Sequence, residues 1–201
     1  MNNSTLLVIA GCNVSGKSSF SHALTNHKVI PFDYDKNFLS IYNSLQDFEL
    51  RDKMAHNKTR ELLENKIDSA IKTKADFCYE TNFNSTPLYW PDFFKKEGYQ
   101  IDMIFFCLDS IEEAKKRVLI RVENGGHYVP PKEIEKRFYE GYANLDALYS
   151  KFDNIHLLNA SAYNQEPQHI LTITKGKVIS KHNFPDFLKL YLPVISNLAE
   201  K

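Results

Sequence analysis

Residues 11–18 read GCNVSGKS and match the pattern G-x-x-x-x-G-K-[ST], which is typical of a phosphate-binding loop. An apolar run at 5–10 precedes the motif, and residues 18–24 can continue as a helix. A strand, a glycine-containing turn and a helix in this order direct backbone N–H groups and a helix N-terminus at an anion. In such a loop Lys17 reaches the β- and γ-phosphates, and the Ser18 hydroxyl binds Mg²⁺. The motif therefore predicts a nucleoside triphosphate site.

The whole loop is expected to contribute to this site, through backbone or side chain. The residues that we expect to hold the nucleotide are Gly11, Asn13, Ser15, Gly16, Lys17, Ser18 and Ser19. Cys12 lies within the loop, and two interpretations stay open for it. It is either a small filler or a thiol whose pKa the loop dipoles lower.

The bulk properties limit the class of protein. A chain of 201 residues with 43% hydrophobic residues supports one substantial core. We therefore expect a single domain over 1–201, with a core at about 4–160 and an appendage at 161–201. The charges balance at 25 basic and 25 acidic side chains, which gives no reason to expect nucleic acid or a membrane surface as partner. Three cysteines without metal-ligand spacing favour a reduced, cytoplasmic protein.

Strand-like and helix-like segments alternate up to residue 158. Strands are predicted at 29–32, 76–79, 101–108 and 155–158, besides the run before the loop. Helices are predicted at 47–73, 88–97 and 110–123, and from Pro131 onward. The third of these helices begins at a Ser110-x-x-Glu113 capping box. This order predicts an α/β fold of the P-loop NTPase type, with a mostly parallel sheet and helices on both faces.

The last 40 residues follow another pattern. Residues 170–174 and 178–179 flank Lys175-Gly176 and predict a β-hairpin. A terminal helix is predicted over 184–198. We expect both to pack on the core.

Several acidic side chains follow predicted strands. Asp33 and Asp35 come after the second strand, and Glu80-Thr81 ends the third. Because ligand sites in parallel sheets lie at the carboxyl ends of the strands, these residues are expected to share one crevice with the loop. Either aspartate is a candidate base for an acceptor hydroxyl, and a helix N-cap is the plain alternative for both. Glu80 is a candidate ligand for that hydroxyl or for a Mg²⁺-bound water.

Arginines flank a glycine-containing connector. Arg117 and Arg121 are four residues apart and so share one helix face, and Arg137 lies in the next helix. Between them, residues 124–131 form a short connector that contains His127. This arrangement is typical of a lid that places guanidinium groups on a transferring phosphate. Surface ion pairs for the arginines and a turn role for His127 are the alternatives.

Together these segments resemble the zeta toxin-like P-loop kinases. Residues 117–130 read RVLIRVENGGHYVP, and Ile134 and Arg137 follow. That family carries R-V-x-x-R-v-x-x-G-G-H-x-V-P and then I-x-x-R, after a strand ending in E-T. Its loop reads A-G-x-N-G-x-G-K-S-T, where residues 10–19 here read AGCNVSGKSS. The resemblance runs from about residue 6 to residue 145.

The resemblance implies an ATP- and Mg²⁺-dependent phosphotransferase that acts on a hydroxyl of a small molecule. Toxic members of the broader family phosphorylate the sugar 3′-hydroxyl of UDP-N-acetylglucosamine, and such a UDP-N-acetyl sugar is the candidate acceptor. The residues that match the family's catalytic positions are Asp33, Lys17, Arg121 and Arg137. The positions on the acceptor side are Glu80 and Thr81, and we add Asp35 and His127 as candidates. Arg117 is a further candidate for the nucleotide phosphates.

Two other functions remain open. One is a kinase for a metabolite or for a nucleic-acid 5′-hydroxyl, although the balanced charge argues against nucleic acid. The other is a nucleotide-dependent switch that binds a protein partner, such as an antitoxin, with little turnover.

Overall fold

The computed structural model of the chain describes residues 4–25, 29–126 and 128–200. Its strands are β1 (Thr5–Gly11), β2 (Phe77–Thr81), β3 (Gln100–Cys107), β4 (Asn154–Asn159), β5 (Gln168–Thr174) and β6 (Lys177–Lys181). Its α-helices are α1 (Lys17–Leu24), α2 (Tyr34–Ser44), α3 (Arg51–Thr73), α4 (Tyr89–Lys96), α5 (Ile111–Glu123), α6 (Pro131–Leu148), α7 (Asp186–Tyr191) and α8 (Pro193–Ala199). This is the predicted α/β fold of the P-loop NTPase type.

The strands form one sheet in the order β2-β1-β3-β4-β5-β6, in which the first four strands are parallel. β1 lies between β2 and β3, and its residues Leu6, Val8, Ile9 and Ala10 are fully buried. Such continuous burial is expected for a central parallel strand with both faces covered. Because the first four strands are parallel, their carboxyl ends lie on the same side of the molecule, and the phosphate-binding loop follows β1 there.

The strand predicted at 29–32 is nearly absent. Of its described part, only Phe32 pairs, in a single parallel bridge with Tyr79. The Phe32 N–H donates to Cys78 O at 2.9 Å, and the Phe32 carbonyl accepts from Glu80 N at 3.0 Å. The sequence pattern also missed α2, which begins directly afterwards with Asp33 as its N-cap. A proline at 31 lacks the N–H donor that a longer ladder would need.

The C-terminal hairpin is confirmed. Lys175 and Gly176 form its turn with φ angles of 49° and 74°, which is typical of a two-residue hairpin loop. β5 pairs antiparallel with β4, so the hairpin extends the sheet instead of packing on it as a separate layer. The prediction of one terminal helix is wrong. Pro193 lacks an N–H donor and begins a second helix, α8, after a break at Leu192.

No helix within the described ranges is both long enough and apolar enough to cross a lipid bilayer.

Two histidines of the sheet lie beside one threonine of the C-terminal hairpin. His156 Nδ1 of β4 and His169 Nε2 of β5 lie 3.0 and 2.8 Å from Thr172 Oγ1. Burial lowers the pKa of both histidines below 6.5. The positive fields of His182 and His156 lower the pKa of His169 further, whereas Asp102 opposes the shift at His156.

We therefore expect the free energy of unfolding to fall on acidification. The unfolded chain takes up protons at these histidines near pH 6.5, whereas the folded chain does so only at lower pH. Stability is thus full above about pH 6.5 and declines as the pH falls below it. Urea unfolding at pH 7 and pH 5.5 measures the loss, and replacing both His156 and His169 by Gln should reduce it. His22→Gln, at an exposed position of α1, is the control. If this control and the double variant lose the same free energy of unfolding between pH 7 and pH 5.5, the loss does not come from His156 and His169.

Candidate active site

The phosphate-binding loop follows the central strand and leads into α1. β1 ends at Gly11, whose φ is 141° and where a Cβ atom would lie 2.7 Å from both Phe106 O and Ser15 Oγ. Gly16 immediately precedes α1 in the left-handed conformation, with a φ of 95°. No other residue type fits these two positions without strain. The two motif glycines are thus explained by the path of the backbone.

Val14 occupies the position where the family pattern has glycine. It adopts a φ of 55°, a left-handed conformation that costs a β-branched residue roughly 1–2 kcal/mol. Its side chain is half-buried against the core, which offsets part of that cost. The loop therefore keeps a backbone suited to glycine even where its side chain departs from the pattern.

Cys12 fills space under the loop. Its side chain is buried, and burial raises the pKa of its thiol to about 11, although Lys17 and Arg117 oppose the shift. The filler interpretation of Cys12 is therefore the correct one, and the lowered-pKa interpretation is wrong.

Lys17 points back over the loop. Its ammonium donates to Gly11 O at 2.8 Å and to Cys12 O at 2.9 Å, and Asn82 Oδ1 lies 3.5 Å away. Burial lowers the pKa of Lys17, while Glu80 and other acidic neighbours oppose that shift. The ammonium of Lys17 is thus held over the carbonyl groups of the phosphate-binding loop.

Ser18 lies between two carboxylates. Its Oγ is 2.9 Å from Asp33 Oδ2 and 2.6 Å from Glu80 Oε2, and Ser21 Oγ donates to Glu80 Oε1 at 3.0 Å. The pairing of Phe32 with Tyr79 of β2 positions both acids, because Asp33 directly follows Phe32 and Glu80 directly follows Tyr79. Burial raises the pKa of Glu80, whereas its bond from Ser18 and the charge of Lys17 lower it. The predicted crevice of acidic side chains at the strand ends is confirmed.

Asp33 is also a helix N-cap, which is the alternative role that the sequence predicts for it. Its Oδ1 accepts from Lys36 N at 3.0 Å and caps α2. Asp35 lies exposed in the first turn of the same helix and also lines the cleft. The two carboxylate oxygens of Asp33 therefore have different partners: one caps α2 and the other contacts Ser18 of the loop.

Thr81 shapes the turn that follows β2. Its Oγ1 accepts from Phe83 N at 3.0 Å, and Phe83 and Ser85 are left-handed with φ angles of 58° and 56°. Such residues cost on the order of 1–3 kcal/mol each, so packing must hold them. Helix α6 supplies this packing. Asn144 Nδ2 donates to Phe83 O at 2.9 Å, and the backbone of Gly141 lies so close to the turn that a Cβ atom there would be 2.8 Å from Asn82 O. The turn is therefore held in place before any ligand binds.

Arg137 reaches the loop from α6. Its Nη1 lies 3.4 Å from Asn13 Oδ1, and its Nε donates to Glu133 Oε1 at 2.8 Å. Asn13 and Ser15 are buried within the loop, whereas Ser19 is exposed in α1. The fold thus brings an arginine that is 124 residues away in sequence to the phosphate-binding loop.

Arg117 and Arg121 both line the cleft from α5, as their spacing predicts. Arg117 is buried and donates to Glu113 Oε1 at 2.6 Å, Ala160 O at 2.9 Å and Ser161 O at 2.7 Å. It therefore ties α5 to the segment after β4. The capping box is confirmed at one end only, since Ser110 Oγ accepts from Glu113 N at 3.2 Å while the Glu113 carboxylate binds Arg117.

The connector between α5 and α6 is described in part. A Cβ atom at Gly126 would lie 2.5 Å from Arg121 Cγ, so the close approach of the backbone to this arginine requires glycine. The candidate His127 lies outside the described residues.

These groups surround one cleft of about 1110 Å³. The sheet order divides it into two lobes on either side of the loop. On the β4 side lie Arg117, Arg121, Ala160 and residues 162–165. On the β2 side lie residues 33–35, His56, residues 79–82, residues 84–87, Tyr89 and Trp90. We call these the β4 lobe and the β2 lobe.

Sequence reasoning missed three contributors to the site. Asn82 contacts Lys17, Ser21 holds Glu80, and Tyr163 lies with its ring 5.2 Å from the Arg117 guanidinium. Ser21 follows Ser18 by three residues on one helix face, which is a usable signal. Asn82 and Tyr163 meet their partners only through the tertiary fold.

Comparisons with known proteins agree with this geometry. The family model described as Zeta toxin matches residues 2–166, which is most of the chain. The search of curated proteins found no match.

Solved structures share the fold at low sequence identity. The AvrRxo1-ORF1:-ORF2 complex with ATP aligns with a TM-score of 0.64 and 14% identity, over 96% of this chain and 63% of that one. The PezAT chromosomal toxin-antitoxin system of Streptococcus pneumoniae aligns with a TM-score of 0.56 and 10% identity, over 83% and 72% of the two chains. The Pnkp1/Rnl/Hen1 RNA repair complex aligns with a TM-score of 0.56 and 22% identity, over 76% of this chain and 47% of that one.

The family match covers the loop, both acidic side chains beside Ser18 and all three arginines of the cleft. The chain therefore belongs to the zeta toxin family and is a P-loop phosphotransferase.

Proposed function

We propose that the protein transfers the γ-phosphoryl group of ATP to a hydroxyl of a small molecule. The observation that carries this proposal is the position of Ser18. Its hydroxyl lies within 2.9 Å of Asp33 and Glu80, one residue after the loop lysine. A phosphate cradle beside paired carboxylates combines the two things that phosphoryl transfer to an alcohol requires.

The β4 lobe suits the nucleoside of ATP. Tyr163 offers an aromatic face there, and Arg117 holds the adjoining segment through the carbonyls of Ala160 and Ser161. From this lobe the triphosphate can extend into the loop, where Lys17 and the N-terminus of α1 meet its negative charge. Arg117 thus contributes by fixing the nucleotide pocket, besides any direct contact with phosphate.

The donor set fits a magnesium ion. Ser18 has one hydroxyl proton and two carboxylate neighbours, so its two short contacts need either a protonated acid or a cation. Hydroxyl and carboxylate oxygens are ligands that Mg²⁺ prefers in combination with nucleotide phosphates. Ser18, with Asp33 or Glu80 beside it, would hold the ion. When bound, Mg²⁺ neutralises charge on the β- and γ-phosphates.

The transfer step assigns a role to each remaining group. The acceptor oxygen forms a bond to the γ-phosphorus, the bond from that phosphorus to the β,γ-bridging oxygen breaks, and ADP leaves. The proton of the acceptor hydroxyl passes to the carboxylate of Asp33, and Asp35 is the second candidate for this base. Lys17, Arg121 and Arg137 stabilise the charge on the transferring group.

The acceptor is expected at the β2 lobe, where Glu80 and Thr81 end their strand. Thr81 acts mainly on the shape of the 82–85 turn, since its hydroxyl accepts from Phe83 N. Glu80 is held by two serines and orients Ser18. His127 stays a candidate from sequence alone.

Transfer of label tests the proposal. The protein, Mg²⁺ and γ-³²P-ATP are incubated with a panel of sugars, nucleotide sugars and RNA ends, and the products are separated. We expect label on a small hydroxyl compound. Nucleotide binding without label on any acceptor would favour the switch, in which nucleotide changes affinity for a protein partner such as an antitoxin.

A protein partner and a cytoplasmic location complete the proposal. Toxin-antitoxin complexes occur among the structures that share this fold, which supports testing for an antitoxin. All three cysteines are buried and unpaired, as expected for a protein of a reducing compartment.

A further inference from the structure

Helix α6 contacts two parts of the cleft that follow different strands. Near its start, Arg137 Nη1 lies 3.4 Å from Asn13 Oδ1 of the phosphate-binding loop, which follows β1. About two helical turns further on, Asn144 Nδ2 donates to Phe83 O at 2.9 Å, in the turn that follows β2. One rigid element therefore fixes the loop and this turn relative to each other.

Phe83 has an unfavourable backbone conformation in the turn. Its φ of 58° is left-handed, and its side chain is fully buried. Its N–H donates to Thr81 Oγ1 at 3.0 Å, and its carbonyl accepts from Asn144. The first of these bonds is local to the turn, whereas the second comes from α6. Asn144 is therefore the side chain through which α6 fixes the carbonyl of Phe83.

Asn82 precedes Phe83 directly, and its carboxamide reaches Lys17. An ammonium group has three N–H donors. Two of those of Lys17 meet Gly11 O at 2.8 Å and Cys12 O at 2.9 Å, and Asn82 Oδ1 lies 3.5 Å from the same nitrogen. Because a lysine side chain is long and flexible, a contact at its end limits where the charge can lie.

We infer that Asn144 is a positioning residue for phosphoryl transfer, which acts on Lys17 through Phe83 and Asn82. This inference rests on the proposed function and adds a residue outside the cleft, since Asn144 is not among the described residues that line it. When phosphate occupies the loop, the ammonium of Lys17 exchanges the loop carbonyls for phosphate oxygens and keeps Asn82 as its neighbour. Asn82 thus holds the ammonium at the β2 side of the transferring group.

Single-turnover transfer tests this role with water as the acceptor. The protein, in excess over γ-³²P-ATP and with Mg²⁺ present, is followed for release of labelled phosphate. We expect Asn144→Ala to lower the rate by about tenfold or more, because a small displacement of a group at the reacting phosphate is costly. Asn144→Asp has the same shape but no N–H to donate to Phe83 O, and it should be as slow. A wild-type rate in either variant would overturn the inference.

A double-mutant cycle shows whether Asn144 acts through Asn82. Asn82→Ala should also slow the release of phosphate. The double variant should be no slower than Asn82→Ala alone, because residues in one chain of contacts do not act additively. If the fold reductions of the two single variants multiply in the double variant, the two residues act independently and the inference is wrong.

Nucleotide binding and stability separate this role from a merely structural one. We expect the Kd of Asn144→Ala for a fluorescent ATP analogue to stay within about threefold of the wild type, since the effect falls on the transition state. A loss of nucleotide affinity as large as the loss of rate would contradict this.

Asn154→Ala is the matched control. Asn154 is also partly buried, and its side chain bonds to Asp102 and Thr174 at the start of β4. Its substitution should lower Tm and leave the rate of phosphate release unchanged. Equal reductions of rate in Asn154→Ala and Asn144→Ala would show that Asn144 only stabilises the fold.

Failure of this inference is distinguishable from failure of the proposed function. If the wild type binds the analogue but transfers label neither to water nor to any compound of the panel, the proposed function fails and this inference falls with it. If the wild type transfers label and Asn144→Ala transfers it at the same rate, only the role of Asn144 fails.

Discussion

Replacing Lys17 by alanine is expected to reduce phosphoryl transfer by a factor of about 10²–10³, the usual effect of removing one preorganised donor to transition-state charge. Its ammonium lies within 2.9 Å of two loop carbonyls and close to Asn82, so it is already in place before nucleotide binds. Burial lowers the pKa of Lys17, which means that holding this cation costs free energy in the free protein. Substitution should therefore harm function far more than folding.

Thermal unfolding with and without nucleotide separates these effects. A ligand at 100 times its Kd stabilises the native state by about 2.7 kcal/mol, which appears as a rise in Tm. We expect the rise for the wild type and a much smaller one for Lys17→Ala, with similar Tm values in the absence of ligand. Lys53→Ala, at an exposed position of α3, is the matched control. A normal transfer rate in Lys17→Ala would refute the assignment of the loop.

Replacing Asp33 by asparagine is expected to reduce transfer by about 10²–10⁴, the usual contribution of a general base. Asparagine is as good an N-cap as aspartate, so α2 should keep its start and the free energy of unfolding should change by less than about 1 kcal/mol. Asp33→Ala loses the cap as well, and should destabilise the protein by about 1 kcal/mol more than Asp33→Asn. Steady-state kinetics and urea unfolding of both variants measure the two effects separately.

Asp35→Asn decides between the two candidate bases. Asp35 is exposed and lies two residues after Asp33, in the first turn of α2. We expect its substitution to change acceptor binding and to leave the maximal rate within tenfold of the wild type. If Asp35→Asn instead abolishes transfer while Asp33→Asn retains it, the base is Asp35 and Asp33 serves as a helix cap.

The sequence allowed prediction of the parts of the site that depend on local order along the chain. The loop motif follows an apolar strand, and Glu80 ends another. Parallel pairing then brings the carboxyl ends of these strands together, and this does not depend on how the helices pack. Arg117 and Arg121 were predicted to share a face because four residues make about one helical turn.

Other parts of the site depend on contacts between distant segments. The apolar residues 29–32 predict a strand, but only Phe32 pairs, since apolar composition does not reveal how many residues pair. The bonds from Arg117 to the carbonyls of Ala160 and Ser161 join segments more than 40 residues apart, so no local pattern predicts them. Asn82 acquires its place beside Lys17 from a left-handed turn that α6 holds, and no pattern in residues 82–85 signals that conformation.

The two edges of the sheet bear on how the protein behaves at high concentration. An open edge strand exposes unpaired backbone groups and invites pairing with another molecule. Phe32 covers part of the β2 edge, whereas β6 forms the opposite edge and carries Ile179, which is 65% exposed. Lys177 and Lys181 flank that isoleucine, and lysines at an edge oppose the approach of a second copy. These charges protect β6 against aggregation by strand pairing, a property that depends on ionic strength.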